Sequence, residues 1–326
     1  MTTTNNNVGN TETAIQGRTM TVTRLYRAPR ELVFKAWTDP NHLPHWWGPL
    51  GFTTTTEEIE VKPGGVWRYI MHGPDGVDYI NKITYHEVQQ GEKLEYSHGD
   101  GEDDEIFRVI VTFEQQGDNT KLTMRSQFHS EDYLKQAVEN YGAVQGAEQT
   151  LGRLEDRLST ITYTSAKERI FTLKRLFNAP RPLVFQAHSQ AEHLKRWWGP
   201  QGWELTVCNV DFRPGGVWHY CMKCMDKNQG DFYGFEAWGK SVYKEIIPNE
   251  WIVLVDSFSD AEGTESQELP ASENTWQFYD YGDQTLFVTT SRYASDEALR
   301  QVIEMGMEQG LSSSLERLVE LLAELR

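Results

Sequence analysis

Two long stretches of this chain occur twice. RLYRAPRELVFKAW (residues 24–37) returns as RLFNAPRPLVFQAH (175–188), and VKPGGVWRYIM (61–71) returns as FRPGGVWHYCM (212–222). Between them HLPHWWGP (42–49) matches HLKRWWGP (193–200), all at the offset of 151 that separates Arg24 from Arg175. Solenoid repeats run ~20 to 50 residues, so a period this long is that of a whole domain. The 326 residues therefore read as two copies of one fold, in keeping with ~100 to 200 residues per domain. Past these motifs the offset grows, to 158 between Tyr85 and Tyr243 and to 165 between Phe113 and Phe278. The second copy thus carries longer loops, around CMDKNQGDFYG and SDAEGTESQELPASEN, both of loop composition. The expected organisation is a disordered N-terminal tail at 1–17, domain 1 at 18–159, a linker at 160–167 and domain 2 at 168–326.

Each copy reads alike at the local level. A strand with inward Met20 and Val22 meets Ala-Pro; two short helices follow, separated in the first copy at Asp39-Pro40. Several strands come next, and KPGG and RPGG supply the Pro and Gly of tight turns between them. Each copy closes on its longest helix. Leu134, Val138, Tyr141, Val144, Leu151, Leu154 and Leu158 recur at helical spacing in the first, and Leu299, Val302, Leu311, Leu315, Leu318 and Leu322 in the second. Each helix contains a glycine pair four apart, Gly142 with Gly146 and Gly306 with Gly310, at a cost of ~1 kcal/mol per glycine in a helix interior. Such pairs point to something that approaches the helix closely, either the sheet or an occupant of a cavity.

Strand, two short helices, antiparallel strands and a long last helix resemble the α+β helix-grip fold of the START-like or SRPBCC superfamily, which includes birch-pollen allergen-like proteins. APRELVFKAWTDPNHLPHWWGP, KPGGVWRY and LGRLEDRL narrow this to a likeness with the family related to the activator of heat-shock protein 90 ATPase. APRPLVFQAHSQAEHLKRWWGP, RPGGVWHY and LERLVELL repeat the likeness, with His188 where the first copy has Trp37. The resemblance implies a curved sheet around the long helix with an apolar cavity between them. It implies no single reaction: many relatives bind a hydrophobic small molecule, some are enzymes, and the namesake eukaryotic protein binds a chaperone in the stress response.

Strand parity sorts the side chains that would line such a cavity, since successive residues face opposite sides of a sheet. Trp67, Tyr69 and Met71 share one face, as do Trp218, Tyr220 and Met222, and these aromatic sets are taken as inward. Phe107, Val109, Val111 and Phe113 join them in domain 1, Trp276 and Phe278 in domain 2. Leu94, Tyr96 and His98 form a further inward series that corresponds to Ile252, Leu254 and Asp256. The exchange of His98 for Asp256 is the sharpest functional signal, because a polar group inside an apolar cavity needs a partner and can orient a ligand. The plainer alternative puts both at a strand end, satisfied by water or a loop. The candidate lining is Trp46, Trp67, Tyr69, Tyr96, His98, Phe107 and Tyr141 in domain 1, with Trp197, Trp218, Tyr220, Asp256 and Trp276 in domain 2. Of Trp46 with Trp47, and Trp197 with Trp198, one member is expected to face the cavity and the other to brace the Gly-Pro turn.

Other chemistry finds little support. CMKC (221–224) has no second ligand pair for zinc and no helix start for redox work, and HExxH, GxSxG, P-loop and GxGxxG motifs do not occur. Glu58, Glu60 and Asp211 read as the outer face of an edge strand. GDGEDDE (99–105) reads as a solvated hairpin loop, and a net charge of -17 offers no basic face for nucleic acid. With no apolar run of ~18 residues, no signal-like start and three cysteines all in the second half, the expectation is a cytoplasmic protein without a membrane span, metal or cofactor. The leading functional expectation is a tandem protein that holds a small hydrophobic molecule without catalysis. A regulator of a heat-shock protein 90 homologue is the second, and a cyclase or hydrolase with His98 or Asp256 as base the third.

Overall fold

The computed structural model describes residues 11–100 and 105–326, and divides into two compact units, Met1–Ile161 and Thr162–Arg326. In unit 1, β1 (Thr11–Gln16) and β2 (Thr19–Tyr26) form a hairpin that leads through Ala28-Pro29 into α1 (Arg30–Thr38). That helix buries Leu32, Val33, Phe34, Ala36 and Trp37, and stops at Asp39 because a residue before proline is pushed out of the helical region. A single 3-10 turn, Leu43–His45, carries the chain to β3 (Thr53–Ile59), β4 (Val66–His72), β5 (Asp78–Gln89), β6 (Lys93–Gly99), β7 (Phe107–Gln116) and β8 (Asn119–Phe128). Two helices follow, α2 (Glu131–Tyr141) and α3 (Ala143–Leu158). The eight strands make one antiparallel sheet in the order β1-β2-β8-β7-β6-β5-β4-β3.

Unit 2 repeats the plan with β9 (Thr162–Lys167), β10 (Ile170–Phe177), α4 (Arg181–Ser189) and α5 (Ala191–Trp197). Then come β11 (Trp203–Val210), β12 (Val217–Cys224), β13 (Glu236–Ile247), β14 (Trp251–Phe258), β15 (Ser272–Tyr281), β16 (Gln284–Tyr293), α6 (Asp296–Glu304) and α7 (Met307–Glu324). Its sheet runs β11-β12-β13-β14-β15-β16-β10-β9. In each unit the helices cover one face of the sheet and the core lies between, as a helix-grip fold requires. In unit 2 that core gathers Phe171, Trp197, Trp218, Tyr243, Leu254, Phe278, Leu315 and Leu318.

Three expectations need correction. Residues 11–16, assigned to a disordered tail, pair with β2 from Thr11↔Arg24 to Gln16↔Thr19, and residues 162–167, assigned to a linker, pair with β10 in the same register. Both are edge strands with little buried surface, so their polar, Thr-rich composition hid them. The long closing helix is broken in both copies. Gly142 (φ 61°) and Gly306 (φ 88°) adopt the left-handed conformation that ends one helix and starts the next. Gly146 and Gly310 lie within the helices, where a Cβ would make an ordinary contact, 3.5 and 3.7 Å from Cγ of Pro49 and Pro200. The occupant facing them is the proline of each WWGP turn.

The two insertions of the second copy are ordered additions. Residues 225–235 form a cap in which Gln229 accepts from Trp203 Nε1 and donates to the Gln201 carbonyl. Residues 259–265 fold against the outer face of the sheet, where His219 meets the Asp260 carbonyl and Lys240 pairs with Glu265. Of the acidic run at 99–105, residues 101–104 lie outside the described residues.

Candidate functional site

The tryptophan pairs divide their work identically in both units. Trp46 and Trp197 are buried and donate their indole N–H to the carbonyls of Ala36 and Ala187, at 3.0 and 2.8 Å, which pins the segment before the Gly-Pro turn to the preceding helix. They are scaffold. Trp47 and Trp198 are half-buried and turn toward the sheet, where Trp47 packs on Trp67 (5.4 Å between centroids) and Trp198 on Trp218 (4.8 Å). The inward member is thus the second of each pair, although Trp46 and Trp197 were the candidates. Arg153 and Arg317 complete the brace, each donating one guanidinium nitrogen to three carbonyls of the turn.

From Trp47 and Trp198 the inward series continues across the sheet. In unit 1 Trp67 stacks on Tyr69 (4.1 Å), Trp47 Nε1 donates to the Tyr69 hydroxyl (2.8 Å), and that hydroxyl lies 3.1 Å from Nε2 of His98. The hydroxyl and Nε2 of His98 share that hydrogen bond in the sense the imidazole tautomer sets, and Nδ1 of His98 has no side-chain or backbone partner among the described residues. His98 is sandwiched on Phe107 (4.7 Å, planes at 13°), and Phe107 on Phe128 (4.8 Å). Burial among these rings pushes the His98 pKa down to about 4.

Unit 2 places a different set on the same ladder. Asp256 pairs with Ser241 on β13 and Ser272 on β15, the positions that Ile83 and Phe107 hold beside His98. Tyr220 donates to Oδ1 of Asp256 at 3.2 Å and Ser241 donates to the same oxygen at 2.5 Å. Tyr220 reaches the carboxyl by lying over Gly239, where a Cβ would come within 2.4 Å of the phenol oxygen. Further along, Asn274 accepts from Ser291 and donates to Ser272 (3.0 Å), and Tyr293 donates to the Met307 sulfur (3.1 Å). Burial pushes the Asp256 pKa up to about 6, against the two hydroxyls that lower it.

The other candidates fall as follows. Tyr96 and Trp276 are inward and buried, and Phe107 is inward and half-buried. Tyr141 is a correction: it is 83% exposed, because α2 ends at Gly142 and the new helix restarts the phase of the apolar stripe. His188 fills the place of Trp37, with Nδ1 on the Val184 carbonyl (2.8 Å), and Trp276 restores the lost volume from the strand where unit 1 has Val111. Trp47, Trp198, Ser241, Ser272, Asn274, Ser291 and Tyr293 were missed, though parity extended to β13, β15 and β16 would have found all but the tryptophans. Among the described residues no group of three or more metal-ligating side chains occurs, and no helix is long and apolar enough to cross a membrane.

The family described as Activator of Hsp90 ATPase homolog 1-like protein matches residues 27–159 and again residues 178–323. The chain belongs to this family, in two tandem copies. No curated protein matches it. Solved structures similar to the chain include a Mycobacterium smegmatis protein, 27% identical over 50% of this chain and 95% of its own, with TM-score 0.44. A Staphylococcus epidermidis protein is 25% identical over 50% and 94%, with TM-score 0.42, and an Arthrobacter aurescens protein 23% identical over 48% and 94%, with TM-score 0.43.

Proposed function

We propose that this member of the Activator of Hsp90 ATPase homolog 1-like family binds a small hydrophobic molecule between sheet and helices, without catalysis. The observation that carries the reading is that inward-facing side chains at one end of the sheet remain half-buried. In unit 2 these are Trp198, Met222, Asp256, Phe258, Met307 and Leu311. An aromatic wall that ends in one polar group and stays open to solvent is the usual composition of a ligand site.

Native mass spectrometry of freshly purified protein, with thermal shifts against a lipid, terpenoid and polyketide panel, tests this. A ligand at 100 times its Kd adds about 2.7 kcal/mol. In a domain of this size that raises Tm by about 5 °C or more. A protein that is empty as isolated and unmoved by every compound refutes the reading. The family name supplies a second reading, regulation of a heat-shock protein 90 homologue, and unchanged chaperone ATPase turnover at saturating protein removes it. Base catalysis by His98 or Asp256 is supported only by their inward placement, and turnover of a panel compound is its test.

A further inference from the structure

Resting on the small-molecule reading, we infer that unit 2 selects organic cations: a protonated or quaternary amine on an apolar body, with the nitrogen at Asp256. The argument begins with what Asp256 lacks. Its partners among the described residues are two neutral hydroxyls, and no basic side chain pairs with it. Elsewhere the fold pairs its enclosed charges: the buried guanidinium of Arg175 meets Glu316, and Arg24 meets Glu155. A carboxylate held inside a protein without a cation is costly, and a cationic ligand removes that cost.

The surroundings fit the same chemistry. Trp198, Trp218 and Tyr220 form a contiguous set of rings, with centroids 4.8 Å (Trp198 to Trp218), 4.6 Å (Trp218 to Tyr220) and 6.0 Å (Trp198 to Tyr220) apart. Trp276 lies 5.8 Å from Trp198. Aromatic faces attract ammonium groups, and a carboxylate at the end of such a set gives the nitrogen both a charge partner and a hydrogen-bond acceptor. Trp198 Nε1, enclosed and without a partner among the described residues, is a donor left for an acceptor on the ligand's body. In unit 1 the corresponding indole is already spent on Tyr69. That unit also has His98 for Asp256, Ile83 for Ser241 and a Phe107–Phe128 stack for Ser272 and Tyr293, so among the described residues no carboxylate takes the ladder place of Asp256 there. One cation per chain is the consequence.

Calorimetry at neutral pH on the full chain decides it, with 2-phenylethylamine, tryptamine and their trimethylammonium analogues set against the matching alcohols and carboxylic acids. The expected result is one site per chain, with each amine at least about tenfold tighter than its alcohol and the acids weakest, the difference a charge-assisted hydrogen bond makes. Asp256→Asn is expected to remove that preference while circular dichroism and Tm report a folded protein; should the variant not fold, the comparison of amine with alcohol in the parent chain still decides. Alcohols that bind as tightly as amines, or acids that bind best, overturn the cation and leave the small-molecule reading standing. If no probe binds while a panel compound does, the cation alone fails; if neither set binds, both readings fail.

Discussion

His98 and Asp256 occupy one ladder position in two copies of a fold, and burial acts on them in opposite senses. The His98 pKa falls from 6.5 to about 4, so the unfolded chain binds its proton more readily. Stability from this group is fully present above pH 6.5 and is lost as pH falls toward 4. The Asp256 pKa rises from 3.8 to about 6, so the folded chain binds that proton more readily. Its contribution is fully present below pH 3.8 and is lost as pH rises through 6. At about 1.4 kcal/mol per pKa unit, each exchange is worth roughly 3 kcal/mol. His42 and the buried His188 of unit 2, both lowered to about 4, act in the same sense as His98, so the effect of Asp256 is read from a variant. Asp256→Asn is expected to be more stable than the parent at pH 7 and to lose that advantage by pH 4, measured by urea titration. A difference that does not change with pH would show that Asp256 keeps an ordinary pKa in the folded chain.

At the scale of elements, the two glycines of each closing helix have different tasks and separate by substitution. Gly142 sits at φ 61°, where a side chain is strained whatever the space, so Gly142→Ala is expected to destabilise unit 1 by about 1 kcal/mol or more. Gly146 is helical, and a Cβ there makes an ordinary contact with Pro49, so Gly146→Ala is expected to be neutral or stabilising by up to about 1 kcal/mol. Chemical denaturation of the two variants checks the contrast; equal losses would mean that the break and the proline contact act as one unit. The sequence carried the glycine pair but not its division. Spacing shows that four residues separate them, whereas the sign of φ depends on where the chain must turn to keep Leu134 and Leu151 on one core. Strand parity, by contrast, was legible throughout, because a period of two leaves each inward side chain no other face. Trp67, Tyr69, Tyr96, Trp218 and Tyr220 are buried as that period predicts, and Asp256 is half-buried. Trp47 and Trp198 escaped because they stand beside a turn, where no period applies.

For the whole molecule, duplication was legible from ordered motifs at one offset, while the edges of the copies were not. An edge strand buries little, so β1 and β9 lack the apolar alternation that marks β2 and β10, and only pairing reveals them. Each belongs to the unit that follows it. In unit 2 the contribution of β9 has a specific anchor: the guanidinium of Arg175, 1% exposed, donates to Thr162 Oγ1 at 2.6 Å and to Glu316 at 2.7 Å. Removing β9 strips one partner from a buried cation and bares the edge of β10. Two fragments make this measurable, one of residues 162–326 and one of residues 168–326. Loss of a hydrogen bond to a buried charge costs roughly 1.5 to 3 kcal/mol. At about 2 to 4 °C per kcal/mol for a domain of this size, the shorter fragment is expected to melt at least about 3 °C lower. The same loss in a fragment of residues 162–326 carrying Thr162→Val would assign the effect to the Arg175 contact, and a much smaller one to the strand pairing itself. Equal melting of the two parent fragments would show that the domain closes without β9, and that the boundary belongs at residue 168 after all.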